Sequence, residues 1–253
     1  MIPPSAIEEA LHRLYIAAPR AGLRDEDRKK VAELSGLLAE LDHIVGVTKR
    51  RRPFQLVDAA AGKAYVGLLA AELLLAGKRR TARVSLIERE PRRAALCREA
   101  IAVLRAPGVT CEVREADVAD AGAWPDQPDL VVALHACGPA ADLIVRQTIA
   151  CQARHLLLVP CCTSAAVPAS QIAERWAETV GLPAHAEVRR RFIQAVVDGA
   201  RTLTLEAAGY ETTVVPFVPP TITPHNLLWR ARRVGEPRRM AKAAAKLARL
   251  LAP

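Results

Sequence analysis

The sequence predicts an α/β fold, a doubly wound, mostly parallel seven-stranded sheet with a terminal antiparallel strand, preceded by N-terminal helices. Three observations carry that expectation. From residue 54 onward, short apolar and β-branched runs alternate with helical segments of ten or more residues, the pattern of a parallel sheet covered on both faces. The last two β-type runs are separated only by PPTITPH, which leaves no room for a crossover helix, so they must pair antiparallel. The 253 residues are 51% apolar and 25% charged, which excludes a disordered chain.

The elements follow in order. Ser5 with Glu8 forms a capping-box pattern, and from Asp25 the positions Val31, Leu34, Leu38, Leu41 and Val45 recur at three- and four-residue steps, so two N-terminal helices are expected. After Pro53 come β-type runs at 54–58, 83–88, 109–113, 129–134 and 155–160. Helices are expected between them at 63–76, 91–105 and 139–152, and after them at 168–180 and 186–208. In the last, Ile193, Val197, Ala200, Leu203 and Ala207 share a face. The runs at 209–218 and 226–234 form the terminal pair, with one reversed strand placed at the sheet edge, and the stretch after Pro237 reads as a short basic amphipathic helix. The division is a helical segment at 1–48, the main domain at 49–236 and a basic tail at 237–253.

Thirty-six Lys and Arg against twenty-seven Asp and Glu give a net charge of +9. The excess is clustered at Lys49–Arg52, Lys78–Arg80, Arg189–Arg191 and Arg230–Arg249, and such clusters attract polyanions by counterion release. RNA or DNA is the expected partner, while an arginine-rich genome would enrich basic residues with no function at all. The longest apolar run, 65–77, is interrupted by Glu72 and too short to cross a bilayer, and Glu8 and Glu9 stand where a secretory leader needs basic and then apolar residues. A cytoplasmic location without membrane contact is expected. Six cysteines without a regular framework then predict no disulfides.

A doubly wound sheet binds ligands beyond the carboxyl ends of its strands. The first strand ends in Asp58 and runs into VDAAAGKAYVG, where Gly62 lets the turn pass close to a ligand. The second ends in Glu88, twenty-six residues beyond Gly62, a spacing at which a carboxylate accepts both hydroxyls of a ribose. The third is followed by Asp117, placed to accept an adenine amino group. Three acids at three consecutive strand ends suggest a nucleoside-containing cofactor.

These residues resemble the class I S-adenosylmethionine-dependent methyltransferases, whose first motif is an acid followed by glycines at alternate positions. Here Asp58, Ala60, Gly62 and Ala64 stand on that frame, with alanine at two of three glycine positions. The resemblance implies S-adenosylmethionine as cofactor, held by Asp58, Ala60, Gly62, Glu88 and Asp117, with a Cβ at Ala60 crowding the amino-acid moiety. The loops ALHACG (133–138) and VPCCTS (159–164), with LEAAGYE and TPHNLLWRA, resemble a methyltransferase-domain family. It includes eukaryotic tRNA ribose 2'-O-methyltransferases and the methyltransferase half of a glutathione S-transferase C-terminal-domain protein. Methyl transfer to an oxygen or nitrogen of RNA is what this implies. The alternatives are a non-catalytic RNA-binding module on a degenerate fold, or methylation of a protein or small molecule.

The loops after the fourth and fifth strands bring His135, Cys137, Cys161 and Cys162 to the reacting end. Packing with positioning of cofactor or substrate ranks first for this cluster, since cysteine is among the most buried residue types. His135 as a general base ranks second, and a thiolate attacking a pyrimidine third. Zinc ranks last and no metal is expected, because adjacent Cys161 and Cys162 diverge if that loop is extended.

Overall fold

A computed structural model of the chain describes residues 2–15, 25–49 and 52–252, with the side chains of 25–27 excepted. Arg50 and Arg51 of the first basic cluster lie outside the described residues. Two helices, α1 (Pro4–Tyr15) and α2 (Asp25–Val47), precede β1 (Phe54–Ala59) and α3 (Tyr65–Ala70), which continues into a π-helical turn over Ala71–Leu75. Then follow β2 (Ala82–Glu88), α4 (Pro91–Ala102), β3 (Val109–Glu115), β4 (Leu130–Ala136), α5 (Pro139–Ala150) and β5 (His155–Pro160). The chain closes with α6 (Pro168–Thr179), α7 (Glu187–Ala207), β6 (Tyr210–Pro216), β7 (Leu227–Arg233) and α8 (Pro237–Leu250).

All seven strands join one sheet in the order β3-β2-β1-β4-β5-β7-β6. β1 to β5 are parallel, and β7 runs antiparallel to both β5 and β6. The reversed strand therefore sits one place in from the edge, and β6 is the edge strand, a correction to the placement expected from sequence. The pairing of β6 with β7 was legible; which of the two docks on β5 was not. β1 and β5 are buried almost along their whole length, whereas the edge strands β3 and β6 are only partly covered. This is how a sheet covered on both faces reads in sequence.

Alternate residues feed two cores. Leu56, Val84, Leu86, Val132 and Leu157 pack with α1 to α4, including Ile7, Leu11, Leu34 and Leu38 of the N-terminal helices. Val57, Val131, Ala133, Leu156 and Leu158 pack under α5 and α7, with Trp229 and Tyr210. A third cluster joins α6, α7 and α8, where Leu247 and Leu250 pack against Ala173, Val196 and Val197. The basic tail is thus a docked helix, capped at its start by Glu236, whose carboxylate accepts from the amides of Arg238 and Arg239. Between α5 and α7, the buried Arg201 guanidinium donates to Asp142 at 3.0 and 3.2 Å.

Candidate active site

Sheet order reverses between β1 and β4, so the crevice opens at their carboxyl ends. The loop after β1 is built from alternating left-handed residues, Ala60 (φ 54°), Gly62 (φ 61°) and Ala64 (φ 58°). An alanine in that conformation costs about 1–2 kcal/mol, so the surroundings must hold the turn in place. They do so at every step. The Ala61 amide donates to Ile87 O at 3.0 Å, and the Gly62 amide to Glu88 Oε2 at 2.7 Å. Lys63 O accepts from the Tyr15 hydroxyl of α1 at 2.7 Å, and the ring of Tyr15 stacks edge-on against Tyr65. These left-handed residues also delay the start of α3 to Tyr65.

Asp58 stands behind the loop and not in the crevice. Its carboxylate is 2% exposed and accepts from the Gly67 amide at 2.8 Å, and a Cβ at Gly67 would lie 3.0 Å from that same oxygen. Burial pushes the Asp58 carboxyl up to about 7, with the Gly67 amide pulling it down and the Glu88 charge pushing it further up. Asp58 therefore shapes the loop after β1 that borders the cleft.

Glu88 closes the other side. Its Oε2 accepts from Gly62 and its Oε1 from the Glu90 amide at 2.8 Å, so both oxygens are held by backbone and each keeps acceptor capacity. Asp117 follows β3, where Oδ1 accepts from the Ala119 amide at 2.9 Å and Oδ2 lies 3.2 Å from Arg89. The Ala119 amide bond, opposed in part by burial and helped by Arg89, lowers the Asp117 carboxyl below its ordinary range. Ala60, Glu88, Asp117, His135 and Cys137 line one cleft of about 450 Å³, together with Arg89, Arg93, Val118 and Leu143. That volume lies in the range of cofactor sites.

His135 sits where β4 breaks register between Leu134 and Ala136, and its own φ of 59° turns the chain at that bulge. Its Nε2 lies 2.7 Å from Glu33 Oε1, and Glu33 is 3% exposed on α2. Burial pushes the Glu33 carboxyl upward, but the hydrogen bonds from His135 and Lys30 outweigh it and leave it below the ordinary glutamate range. Glu33 and Tyr15 escaped sequence reasoning because both reach the site from helices far away in the chain. The one available signal was an acid beside the apolar positions Val31 and Leu34.

The loops after β4 and β5 meet at the cysteines. Cys137 and Cys161 are joined as a disulfide, with Cα atoms 5.5 Å apart, which corrects the expectation of no disulfides. That expectation rested on compartment and spacing, whereas contact between neighbouring parallel strand ends brings together cysteines separated by 24 residues. Nor do Cys161 and Cys162, in the loop beyond β5, diverge, since the sulfurs of Cys137, Cys161 and Cys162 all lie within 4.8 Å of one another. Gly138 permits the approach, for a Cβ there would meet Ser164 at 3.2 Å. Cys137 faces the cofactor-type cleft. Cys161 and Cys162 line a second cleft of about 570 Å³ with Arg190, Arg191, His225 and Trp229.

A family described as a methyltransferase domain matches residues 28–167, more than half of the chain. Among solved structures, the chain is similar to magnesium protoporphyrin IX methyltransferase from Synechocystis PCC 6803 with bound SAH. Identity is 14%, over 91% of this chain and 96% of that one, with a TM-score of 0.47. Precorrin-6y C5,15-methyltransferase from Geobacter metallireducens GS-15 gives 16% identity, 87% and 95% coverage and a TM-score of 0.41. The CMeT domain of the citrinin polyketide synthase gives 13%, 90% and 59%, and 0.48. No curated protein sequence matches. The family match covers the loop after β1, the acid-lined cleft and both cysteine loops, and the chain belongs to this methyltransferase-domain family.

Proposed function

We propose that the protein transfers a methyl group from S-adenosylmethionine to an oxygen or nitrogen nucleophile of RNA. The observation that carries the reading is the convergence of Glu88, Asp117, Ala60 and His135 on one cleft whose wall, at the cysteines, adjoins a second cleft lined by Arg190 and Arg191. Bound S-adenosylmethionine supplies an electrophilic methyl on a sulfonium centre. Glu88 fits its ribose, because both carboxylate oxygens are fixed by backbone amides and still accept from hydroxyls. Asp117 marks the adenine end and Ala60 the amino-acid end.

His135 takes the proton that the acceptor loses as its new bond to carbon forms. With Nε2 held by Glu33, that role falls to Nδ1. Most of the rate enhancement comes from holding acceptor and methyl group near attack distance. Sequence-independent grip on RNA is assigned first to Lys242 and Lys246 on α8, which among the described residues carry no ion pair, and then to Arg190 and Arg191 at the second cleft, which share Glu187 between them. Arg230, Arg232 and Arg239 contribute less, being paired with Glu40, Glu211 and Glu206 within the fold. Loss of one methylated nucleoside from the RNA of a deletion strain, restored by the wild type and not by His135→Ala, supports this reading. Unchanged RNA with a lost mark on protein or metabolite refutes the RNA assignment.

A further inference from the structure

We propose that, in the reduced chain, Cys137, Cys161 and Cys162 form a three-thiolate site for a soft divalent cation, zinc foremost, in the wall between the two clefts. The inference is independent of which acceptor is methylated. Three sulfurs lie within 4.8 Å of one another, and tetrahedral zinc with Zn–S bonds of about 2.3 Å sets its sulfurs about 3.8 Å apart. Once the disulfide is reduced, the Cys137 and Cys161 sulfurs move apart to that spacing while Cys162 stays within reach of both. A disulfide between Cys137 and Cys161 uses two of the cysteines; it gives no reason for a third, exposed thiol, Cys162, packed against both.

Arg190, Arg191, Asp198 and His225 line the cleft that Cys161 and Cys162 face. The backbone is already arranged around a single point, with His135 O 3.3 Å from Cys137 Sγ and 3.6 Å from Cys161 Sγ. The two donor loops come from adjacent strands of the sheet, so a metal there ties the carboxyl ends of β4 and β5 together. With three protein ligands, the fourth position is left to water or to an acceptor atom entering from either cleft. Metal binding and the disulfide exclude each other, because both consume Cys137 and Cys161. Reduction of the disulfide by a dithiol reductant, which is itself oxidised to its disulfide, releases the two thiols. Their protons leave as the metal binds.

The test uses the full chain, purified anaerobically with a dithiol reductant, desalted after incubation with zinc chloride, and analysed for zinc by mass spectrometry and for thiols after denaturation. About one zinc per chain with all six cysteines titrating is the expected result. In chelator competition, Cys162→Ala and Cys137→Ala should each weaken zinc binding at least tenfold, while Cys111→Ala, on β3, leaves it unchanged. Cobalt(II) in place of zinc should give a thiolate charge-transfer band that both of the first two variants lose. A chain that stays metal-free under these conditions overturns the proposal, as does a Cys162→Ala protein that holds zinc as tightly as wild type. A metal-free chain with four titrating thiols would leave Cys137–Cys161 as a plain structural disulfide.

Discussion

Glu33 on the second N-terminal helix reaches across to His135 at the end of β4, with Oε1 2.7 Å from Nε2. With Nε2 facing that carboxylate, Nδ1 is the nitrogen left for the proposed proton transfer. His135→Ala is predicted to lower kcat about a hundredfold if the imidazole accepts the proton. Glu33→Gln should lower it less, keep cofactor affinity, and move the pH–rate profile, which a purely structural role would not do. Stopped-flow methyl transfer across pH decides; an unshifted profile in Glu33→Gln argues against positioning through His135.

Ala60 and Ala64 occupy left-handed backbone that glycine adopts without cost. Ala60→Gly is predicted to stabilise the fold by about 0.5–1 kcal/mol in urea unfolding. Ala64→Gly should gain less, because its methyl is fully buried and its loss costs about 0.8 kcal/mol. A destabilised Ala60→Gly protein would mean that the Ala60 methyl makes contacts worth more than the backbone strain.

The buried Asp58 carboxyl gives the fold a pH signature. Because burial raises it to about 7 in the folded protein, the folded state keeps that proton to higher pH than the unfolded chain does. Its contribution to stability is complete below the ordinary aspartate value near 4 and is lost as pH rises from about 4 to about 7. Asp58→Asn retains a carbonyl for the Gly67 amide and should lack this decline. Chemical unfolding of both proteins across that window tests it, and parallel stability curves would count against a raised Asp58.

Deleting α8 would remove Leu247 and Leu250 and uncover the α7 residues beneath them, so charge and packing must be separated by substitution. Lys242→Gln with Lys246→Gln is predicted to reduce the slope of log K against log salt for single-stranded RNA by about 1.4, at about 0.7 per phosphate contact. Thermal stability should be unchanged. A full slope in the double variant would make these lysines ordinary solvated surface.

The fold was legible because each β-type run and each helical segment carried its own period and punctuation, from Phe54 to the Pro237 helix start. That Glu88 and Asp117 share a cleft was legible for the same reason, since strand ends converge in a doubly wound sheet. Asp58 was misplaced within that set. A carboxylate at a strand end points outward or inward according to what the next turn offers it, and here the Gly67 amide draws it under the loop. Contacts made across long sequence separations left no local mark, as with Glu33 on His135, Tyr15 on Lys63 and Cys137 on Cys161.

The central claim is that the cleft between Ala60, Glu88 and Asp117 holds S-adenosylmethionine through the Glu88 carboxylate. Isothermal titration of the wild type and Glu88→Gln tests it directly, because glutamine preserves an acceptor for the loop amides while removing the charge and one acceptor. The account predicts one site per chain in the wild type, and at least tenfold weaker binding in a folded Glu88→Gln protein, about 1.4 kcal/mol. No binding heat from the wild type, or equal dissociation constants in the two proteins, would contradict it.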